Sequence, residues 1–186
     1  MNAPLNTLFT DIHAHMHPGS TDAPEGILVS LTPEEAERVL SHPGLKGKFS
    51  VGIHPWDTGR PVDWPRFEEM LRHPAVIAVG ECGLDRLKGA PIEVQEEIFR
   101  RQIHLAEALG MPMILHVVKA LDILLRLRRR ERPSTEWVLH GFRGNAAQAT
   151  QLLNAGLSLS LGPRHNPEAA DIIPPGRLYR ETDSAV

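Results

Sequence analysis

The sequence predicts an α/β protein of the (β/α)8 TIM-type barrel class, short for that fold and lacking a helix after the last strand. Eight short apolar runs alternate with helix-like segments or loops along the 186 residues. Parallel strands need such crossovers between them, and eight strand–helix units close into a barrel. Neither an internal repeat nor a linker interrupts the alternation, so we expect one domain over residues 1–186.

The predicted strands are apolar runs that end at glycine, proline or a polar residue. The first begins at the apolar pair Leu8-Phe9, continues through residues 11–17 and ends in a loop at Pro18-Gly19. Because side chains alternate along a strand, His13 and His15 should share one face, with Ile12 and Ala14 on the other. The remaining strands are expected over residues 26–31, 49–55, 76–81, 113–116, 137–140, 157–161 and 178–183.

Helical patterns with recognisable ends occupy most of the intervals. Thr32 is a suitable N-cap with Pro33 in the first turn, and Gly110 and Pro112 end the longest helix. The predicted helices cover residues 32–41, 63–72, 92–109, 119–132, 145–153 and 167–173. On the longest helix, the face expected to pack on the barrel carries Gln95, Phe99, Gln102 and Ala106.

Composition excludes several classes of protein. The net charge is −3, so no global basic field would hold a polyanion, and a nucleic acid would have to be held locally or by metal. The single cysteine, Cys82, excludes an intrachain disulfide framework and suits a reducing, cytoplasmic location. The N-terminus does not resemble a signal peptide, and no apolar run approaches the ~18 residues of a membrane span, so we expect no membrane association.

Histidines and carboxylates stand at or just past the ends of the predicted strands. In a barrel these strand ends converge on one mouth, where active sites of this fold lie. Burying several imidazoles and carboxylates together is costly without a cation, and divalent metals such as zinc, manganese, iron or weakly held magnesium remove that cost. Two ions that share a bridging carboxylate would account for the number of ligands. The residues concerned are His13, His15, His54, Glu81, His116, His140 and Asp183.

Each of these residues also has a structural interpretation. The Asp11-x-His-x-His segment alone fits polar residues at a strand end, with Asp11 fixing a ring or holding the loop. His54 before Pro55 fits a turn, Asp183 fits a solvated terminus, and His116 and His140 singly fit core histidines. Their joint position at matching strand ends favours the metal site.

Other chemically active side chains have simpler predictions. Cys82, next to Glu81, should face the helices as a small buried residue and not act as a nucleophile. The run Arg126–Arg132 suits a solvated helix end, with a nucleic-acid patch as the alternative. The role of His17 stays open, and His165 could reach the mouth without binding metal. The remaining histidines are expected at the surface: His42, His73 and His104.

Taken together, the motifs resemble those of the TatD-like metal-dependent hydrolases over nearly the whole chain. The motifs that carry this resemblance are Asp11-Ile-His-Ala-His15, Gly52-Ile-His-Pro55, Gly80-Glu-Cys-Gly-Leu-Asp85, the helix with Gln95, Phe99 and Gln102, Ile114-Leu-His116, His140-Gly-Phe-Arg-Gly144 and Glu181-Thr-Asp183. The resemblance implies a barrel with a binuclear centre and hydrolysis of DNA or RNA ends. In some members the implied activity is removal of D-amino acids from tRNA.

The resemblance also implies individual roles. His13, His15 and Asp183 would hold one metal, His116 and His140 the other, and Glu81 would bridge them. His54 and Asp85 would contact the substrate or support the ligands. The chain departs from the family pattern after His140, where the family commonly has Cys-Phe-Ser-Gly, and at Val118, where it often has Arg. Lys119 and Arg143 are therefore candidates for holding a phosphate.

Three functional hypotheses follow from the sequence. The first is hydrolysis of a phosphodiester in DNA or RNA by a metal-activated water, with Glu81 and Asp183 as catalytic residues and Asp183 taking the proton. The second is an ester or amide hydrolase, such as an aminoacyl-tRNA deacylase, on the same site. The third is a non-catalytic metal-binding module, since apolar barrel surface without a last helix would favour a partner or a homo-oligomer.

Overall fold

The computed structural model describes residues 5–186, in which eight strands form one parallel sheet. Neighbours in the sheet are neighbours in sequence, so the strand order is that of a (β/α)8 barrel. This confirms the predicted fold class. The strands are β1 (Asp11–His15), β2 (Ile27–Leu31), β3 (Lys48–Val51), β4 (Val76–Asp85), β5 (Met113–Val118), β6 (Trp137–Leu139), β7 (Ser158–Leu161) and β8 (Leu178–Arg180).

Helices on the outside connect most of the strands. Capping boxes begin α2 at Thr32 and α6 at Asn145, and left-handed Gly110 ends α4. The helices are α1 (Leu5–Leu8), α2 (Pro33–Leu40), α3 (Trp64–Leu71), α4 (Ile92–Leu109), α5 (Leu121–Glu131), α6 (Ala146–Asn154) and α7 (Pro167–Ala170), with 3-10 turns at Pro55–Asp57 and Pro175–Arg177. None of the helices in the described residues has both the length and the apolar character of a membrane span.

The barrel is nearly closed by the residues that follow β8. The amide of Asp183 donates to the carbonyl of His13 (3.1 Å), and the amide of His15 donates to the carbonyl of Ser184 (2.8 Å). The buried carboxylate of Asp11 accepts bonds from the amide (3.2 Å) and the hydroxyl (2.6 Å) of Thr182. Asp11 therefore holds the loop after β8 against β1, one of the two roles expected for it.

Two apolar layers support the barrel. The larger lies between the strands and the helices and includes Cys82, Phe99 and Ala106, as predicted for Cys82 and for the inner face of α4. Burial raises the pKa of the Cys82 thiol well above its usual value, which suits an inert side chain. The smaller cluster fills the barrel interior with Leu5, Ile12, Leu28, Ala78, Ile114, Val138 and Tyr179.

The prediction that side chains alternate regularly between the two faces of β1 is wrong at Ile12. Ile12 joins the interior cluster, although the alternation predicts that it faces away from His13. The pairing of β1 with β2 shifts register between Asp11 and Ala14, and such an irregularity turns adjacent side chains to the same side. The prediction that the first strand begins at Leu8 is also wrong, because Leu8 is the last residue of α1.

Three other strands differ most from their predicted lengths. β4 continues to Asp85 because residues 82–85 pair with residues 115–118 of β5. β3 stops at Val51, and the backbone of Ile53 bonds to the side-chain amide of Gln102 in place of a neighbouring strand. β8 stops at Arg180, where Thr182 turns toward Asp11. The strand ends that carry the polar residues are thus fixed by side chains as well as by the sheet.

Candidate metal centre

A cavity of about 300 Å³ opens at the carboxyl ends of the strands. Seven predicted residues lie in or directly behind it, although they extend along the sequence from His13 to Asp183. His13 is fully buried behind the cavity, and the other six line it. We call this group the metal centre: His13, His15, His54, Glu81, His116, His140 and Asp183.

Glu81 lies in the middle of the metal centre. Its Oε1 is 2.7 Å from His140 Nε2, 2.8 Å from His116 Nδ1 and 3.3 Å from His54 Nε2. Its Oε2 is 3.5 Å from Nε2 of His13 on the opposite side. Burial by itself raises the pKa of Glu81, but the bonds from His116, His140 and His54 lower it well below its usual value. The carboxylate is therefore ionised and faces imidazoles through both oxygens.

Glycines allow the strands around Glu81 to approach closely. A Cβ on Gly52 would lie 2.5 Å from the carbonyl oxygen of Glu81, and a Cβ on Gly83 would lie 2.1 Å from that of His116. Real side chains do not tolerate such distances, so these positions require glycine. The glycines of the Gly52-Ile-His-Pro and Gly80-Glu-Cys-Gly motifs thus bring His54, Glu81 and His116 together.

The second part of the metal centre lies where β1 meets the end of β8. Asp183 Oδ1 is 3.5 Å from His13 Nε2 and 3.2 Å from His15 Nε2. The neighbouring His13 and His15 rings lower the pKa of Asp183, and the hydrogen bond between His15 and Asp183 raises the pKa of His15. Asp183 has φ +54°, a left-handed conformation that is uncommon for a residue with a side chain and is found often at functional sites.

Three imidazoles have a polar group close to the ring nitrogen that faces away from Glu81. His13 Nδ1 is 2.8 Å from the hydroxyl of Ser30, which in turn contacts Ser50 at 2.8 Å. His116 Nε2 is 3.4 Å from Asp85 Oδ2, and His140 Nδ1 is 3.5 Å from Glu181 Oε1. Sequence reasoning gave Ser30 and Glu181 no role. The signal for Glu181 was present, since it follows the apolar end of β8 in the same run as Asp183.

The charges of the metal centre suit a cation. Burial opposes a charge on His140, but Glu181 and Glu81 raise its pKa to about 10, so a proton there offsets the two carboxylates when no metal is bound, and a bound ion would take the place of that proton. His13 is different: burial, followed by the nearby His140, lowers its pKa and leaves a neutral ring. Its Nε2 is buried, has no hydrogen-bond partner among the described residues, and lies between Glu81 and Asp183. A divalent ion would satisfy this nitrogen and both carboxylates.

Three sets of ligand atoms lie close enough together to hold an ion, with all atoms of a set within 4.8 Å of one another. They are His13, His15 and Glu81; His13, His140 and Asp183; and His54, Glu81 and His116. The first two are on the β1 side and the third on the β4–β5 side. The residues present therefore fit a divalent metal.

Comparison with known proteins identifies the family. The family model described as TatD-related DNase matches residues 10–185. The chain belongs to this TatD family.

Curated relatives of the chain are bacterial TatD-type proteins. The uncharacterized metal-dependent hydrolase YabD of Bacillus subtilis is 28% identical, over 93% of this chain and 78% of its own length. The uncharacterized metal-dependent hydrolase TatD of Mycobacterium tuberculosis is 36% identical, over 73% and 57%. The 3′-5′ ssDNA/RNA exonuclease TatD of Klebsiella pneumoniae is 34% identical, over 81% and 62%. The chain thus spans less than two thirds of the latter two proteins.

Solved structures of TatD proteins share the fold. YjjV, a TatD homologue from Escherichia coli, superposes with a TM-score of 0.74 and 29% identity, over 84% of this chain and 66% of YjjV. A TatD family hydrolase from Entamoeba histolytica has a TM-score of 0.69 and 23% identity, over 85% of this chain and 61% of its own. The second likeness, below 25% identity, shows the barrel fold alone.

The four predicted substrate residues occupy different environments in this TatD protein. His54 lines the cavity, and its Nδ1 accepts a bond from the amide of Trp56 (3.2 Å). Asp85 is buried, and its oxygens accept bonds from the indole of Trp56 (2.7 Å) and the amide of Leu87 (2.7 Å). Those two bonds and the bond with His116 lower the pKa of Asp85, although its burial acts in the opposite direction.

The two basic candidates border a second cavity. Lys119 and Arg143 are exposed and line a space of about 750 Å³ that shares His140 with the cavity of the metal centre. Neither makes an ion pair with any residue from 5 to 186. Lys119 has φ +53°, so, like Asp183, it lies in a left-handed conformation directly after a strand of the site.

The other histidines and the arginine run lie outside the metal centre. His17 and His42 are exposed, His104 contacts Glu131 at 3.0 Å, and His165 bonds to the carbonyl of Gly162 (2.8 Å). His73 accepts a bond from the amide of Ala75 (3.2 Å). In the arginine run, Arg126 pairs with Glu96 (2.7 Å) and Arg128 bonds to carbonyl oxygens, including that of Ala155 (3.2 Å). The guanidinium groups of Arg126 and Arg128 are therefore occupied by contacts within the protein.

Proposed function

We propose that this TatD protein is a metal-dependent phosphodiesterase that hydrolyses the ends of single-stranded DNA or RNA. The observation that carries the proposal is the position of Glu81, which presents one oxygen to His54, His116 and His140 and the other to His13. The exonuclease name of the Klebsiella pneumoniae relative supports the substrate class. Engagement of the nucleic acid is proposed to be transient, as turnover requires.

Two divalent ions are proposed to share Glu81. His13, His15 and Asp183 would hold one, and His116 and His140 the other. The opposite orientation of the two Glu81 oxygens supports this division, and His54 adds a third imidazole beside Oε1. Of zinc, manganese and magnesium, a donor set rich in imidazole favours zinc, because manganese and magnesium suit oxygen ligands. Divalent ions bound there would acidify a water molecule and polarise a phosphoryl oxygen.

Asp183 and Glu81 are the proposed catalytic residues. Asp183 is partly exposed at the mouth and ionised, so its carboxylate can accept the proton of an attacking water, while Glu81 is buried between the ligands. Lys119 and Arg143 are proposed to hold a phosphate of the substrate, Arg143 through two parallel hydrogen bonds. His54 is proposed to contact the substrate, and Asp85 to act through His116 and Trp56, because its own oxygens are occupied.

The test is the Glu81→Ala variant assayed on single-stranded oligonucleotides with zinc, manganese or magnesium. We expect metal-dependent hydrolysis to be abolished while the thermal unfolding transition stays cooperative. The matched control is Glu97→Gln, an exposed position on α4 away from the mouth. Unchanged hydrolysis by Glu81→Ala would exclude the bridging role.

A substrate panel separates the remaining hypotheses. Aminoacyl esters are assayed beside the oligonucleotides, and metal content is measured on the same samples. Hydrolysis of the esters alone would favour the deacylase, and bound metal without turnover of any substrate would favour the binding module. A cytoplasmic location and self-association as a homo-oligomer stay predictions, to be checked by fractionation and by light scattering.

A further inference from the structure

Trp56 is an unusually exposed aromatic side chain at the wall of the metal-centre cavity. It is 45% exposed, whereas Trp137 is fully buried and Trp64 is partly buried against Phe67. Tryptophan is enriched at interfaces, and ligand pockets are lined largely by apolar and aromatic side chains, so an exposed tryptophan in the wall of a pocket is a candidate for ligand contact. Its position, two residues after His54, puts the ring next to the proposed reaction site.

The ring of Trp56 is held in place from several sides. Its indole N–H donates to the buried Asp85 (2.7 Å), and its backbone amide donates to His54 Nδ1 (3.2 Å). The ring lies roughly perpendicular to those of His54 and His116, at centroid distances of 4.7 and 5.8 Å. A ring fixed before binding loses little conformational entropy when a ligand contacts it. Trp56 is thus a preorganised surface.

An unpaired cation accompanies the ring. Lys88 Nζ lies 3.4 Å from the centroid of Trp56, and Lys88 makes no ion pair with any described residue. Asp85, which binds the indole, also accepts a hydrogen bond from the backbone amide of Leu87, and the Leu87 side chain is 73% exposed. The buried carboxylate of Asp85 therefore positions the exposed ring of Trp56 and the backbone of Leu87, which is followed directly by Lys88.

We propose that Trp56, Leu87 and Lys88 form a subsite for one nucleobase of the substrate, in which the base stacks on Trp56 and the exposed Lys88 ammonium, which lies over the ring, moves to the phosphate of that nucleotide. The proposal deepens the proposed function and rests on it for the class of substrate. An aromatic plane with a neighbouring cation suits a planar base joined to a phosphate, and stacking of this kind is tolerant of base identity. Trp56 is a substrate-binding residue in this proposal and takes no part in the chemistry.

The test compares an oligomer of six deoxyadenosines with hexamers in which one abasic nucleotide is moved along the chain. Binding is measured in the presence of chelator through quenching of tryptophan emission, so that no hydrolysis occurs. For the unmodified protein we expect an abasic nucleotide at one position to weaken binding about 5- to 100-fold and to remove the quenching, the range typical of one stacked base. If binding is too weak to measure, the same ratio is taken from KM for hydrolysis with metal.

Variants separate stacking from a structural role. In Trp56→Ala the intact and abasic hexamers should bind equally, whereas Trp56→Phe should keep part of the preference, because it retains an aromatic ring without the bond to Asp85. Trp64→Phe, which does not line the cavity, should bind the hexamers as the unmodified protein does. This variant also gives the change in emission that comes from losing one tryptophan. Lys88→Gln should weaken intact and abasic hexamers alike.

Three outcomes would overturn the subsite. In the first, the unmodified protein binds all hexamers equally. In the second, Trp56→Ala weakens the binding of intact and abasic hexamers by the same factor. In the third, no hexamer is either bound or hydrolysed. Hydrolysis that depends on Glu81 but not on the base would overturn the subsite and leave the proposed function standing. Base-dependent binding without any hydrolysis would support the subsite and overturn the proposed function.

Discussion

At the scale of single residues, the metal centre depends on the groups behind its imidazoles. Ser30, Asp85 and Glu181 each contact the ring nitrogen of a histidine that faces away from Glu81. A ring contacted on both nitrogens has a fixed orientation, which a metal ligand requires. The interaction with His140 also lowers the pKa of Glu181 despite its burial, so Glu181 stays ionised behind that ring.

Glu181→Gln tests the role of such a supporting group. The substitution keeps the shape of the side chain and removes the charge that faces His140 Nδ1. We expect metal affinity to fall about 10- to 100-fold, the usual cost of losing the partner of a ligand. Isothermal titration with zinc measures the effect without relying on activity. Glu168→Gln, an exposed position on α7, is the control, and equal affinities in the two variants would contradict the role of Glu181.

At the scale of elements, a side chain of one element anchors a loop between two others. Glu107 of α4 accepts bonds from the amide and hydroxyl of Ser134 (2.9 and 2.8 Å) and from the amide (2.8 Å) and hydroxyl of Thr135. Burial opposes ionisation of Glu107, but these four donors lower its pKa to about 2. One carboxylate thus ties the loop between α5 and β6 to the longest helix.

Glu107→Gln should destabilise the protein by about 1 to 2 kcal/mol at neutral pH, since bonds to a charged acceptor are lost and replaced by weaker ones. The pKa of Glu107 is lower in the folded state than in the unfolded state. The difference in free energy of unfolding between the two proteins is therefore fully present above about pH 4.5. It shrinks as pH falls toward 2, where Glu107 becomes protonated. Urea unfolding at several pH values measures it.

The control for this measurement is Glu97→Gln, at an exposed position on the same helix. It should unfold like the unmodified protein at every pH. A difference between Glu107→Gln and the unmodified protein that grows as the solution is acidified would contradict the assignment, because it has the opposite sign of linkage.

At the scale of the whole molecule, barrel closure assembles the metal centre. Asp11 and Thr182 are 171 positions apart, and their bonds bring the loop after β8 to β1. Asp183 then reaches His13 and His15, and the interior cluster supports the opposite end of the same strands. The proposed ligands, from five separate strands, therefore meet only in the folded barrel, so metal binding should be linked to folding.

Divalent metal should accordingly raise the thermal unfolding temperature. At a free concentration of about 100 times Kd, an ion that binds only the folded state adds about 2.7 kcal/mol, which corresponds to roughly 5 to 10 °C for a domain of this size. Differential scanning fluorimetry with zinc or manganese against chelator measures the shift. Glu81→Ala should lose most of the shift, and the same shift in both proteins would place the metal elsewhere.

The sequence by itself determined the parts of this protein that follow from local patterns. Alternating apolar runs and helix signals predicted the barrel, and the positions of His13, Glu81, His116, His140 and Asp183 after those runs predicted a common pocket. These predictions succeed because strand ends of a parallel barrel converge whatever the details of packing.

Only the tertiary structure decided which side chains support the ligands. The register shift in β1, the bond of Asp85 to Trp56, and the contact of Glu181 with His140 join segments that no periodicity relates. Such contacts depend on the distance and direction between side chains on different strands, which are set when the barrel packs and closes. The exposure of Trp56, on which the proposed nucleobase subsite rests, is likewise decided by the tertiary structure.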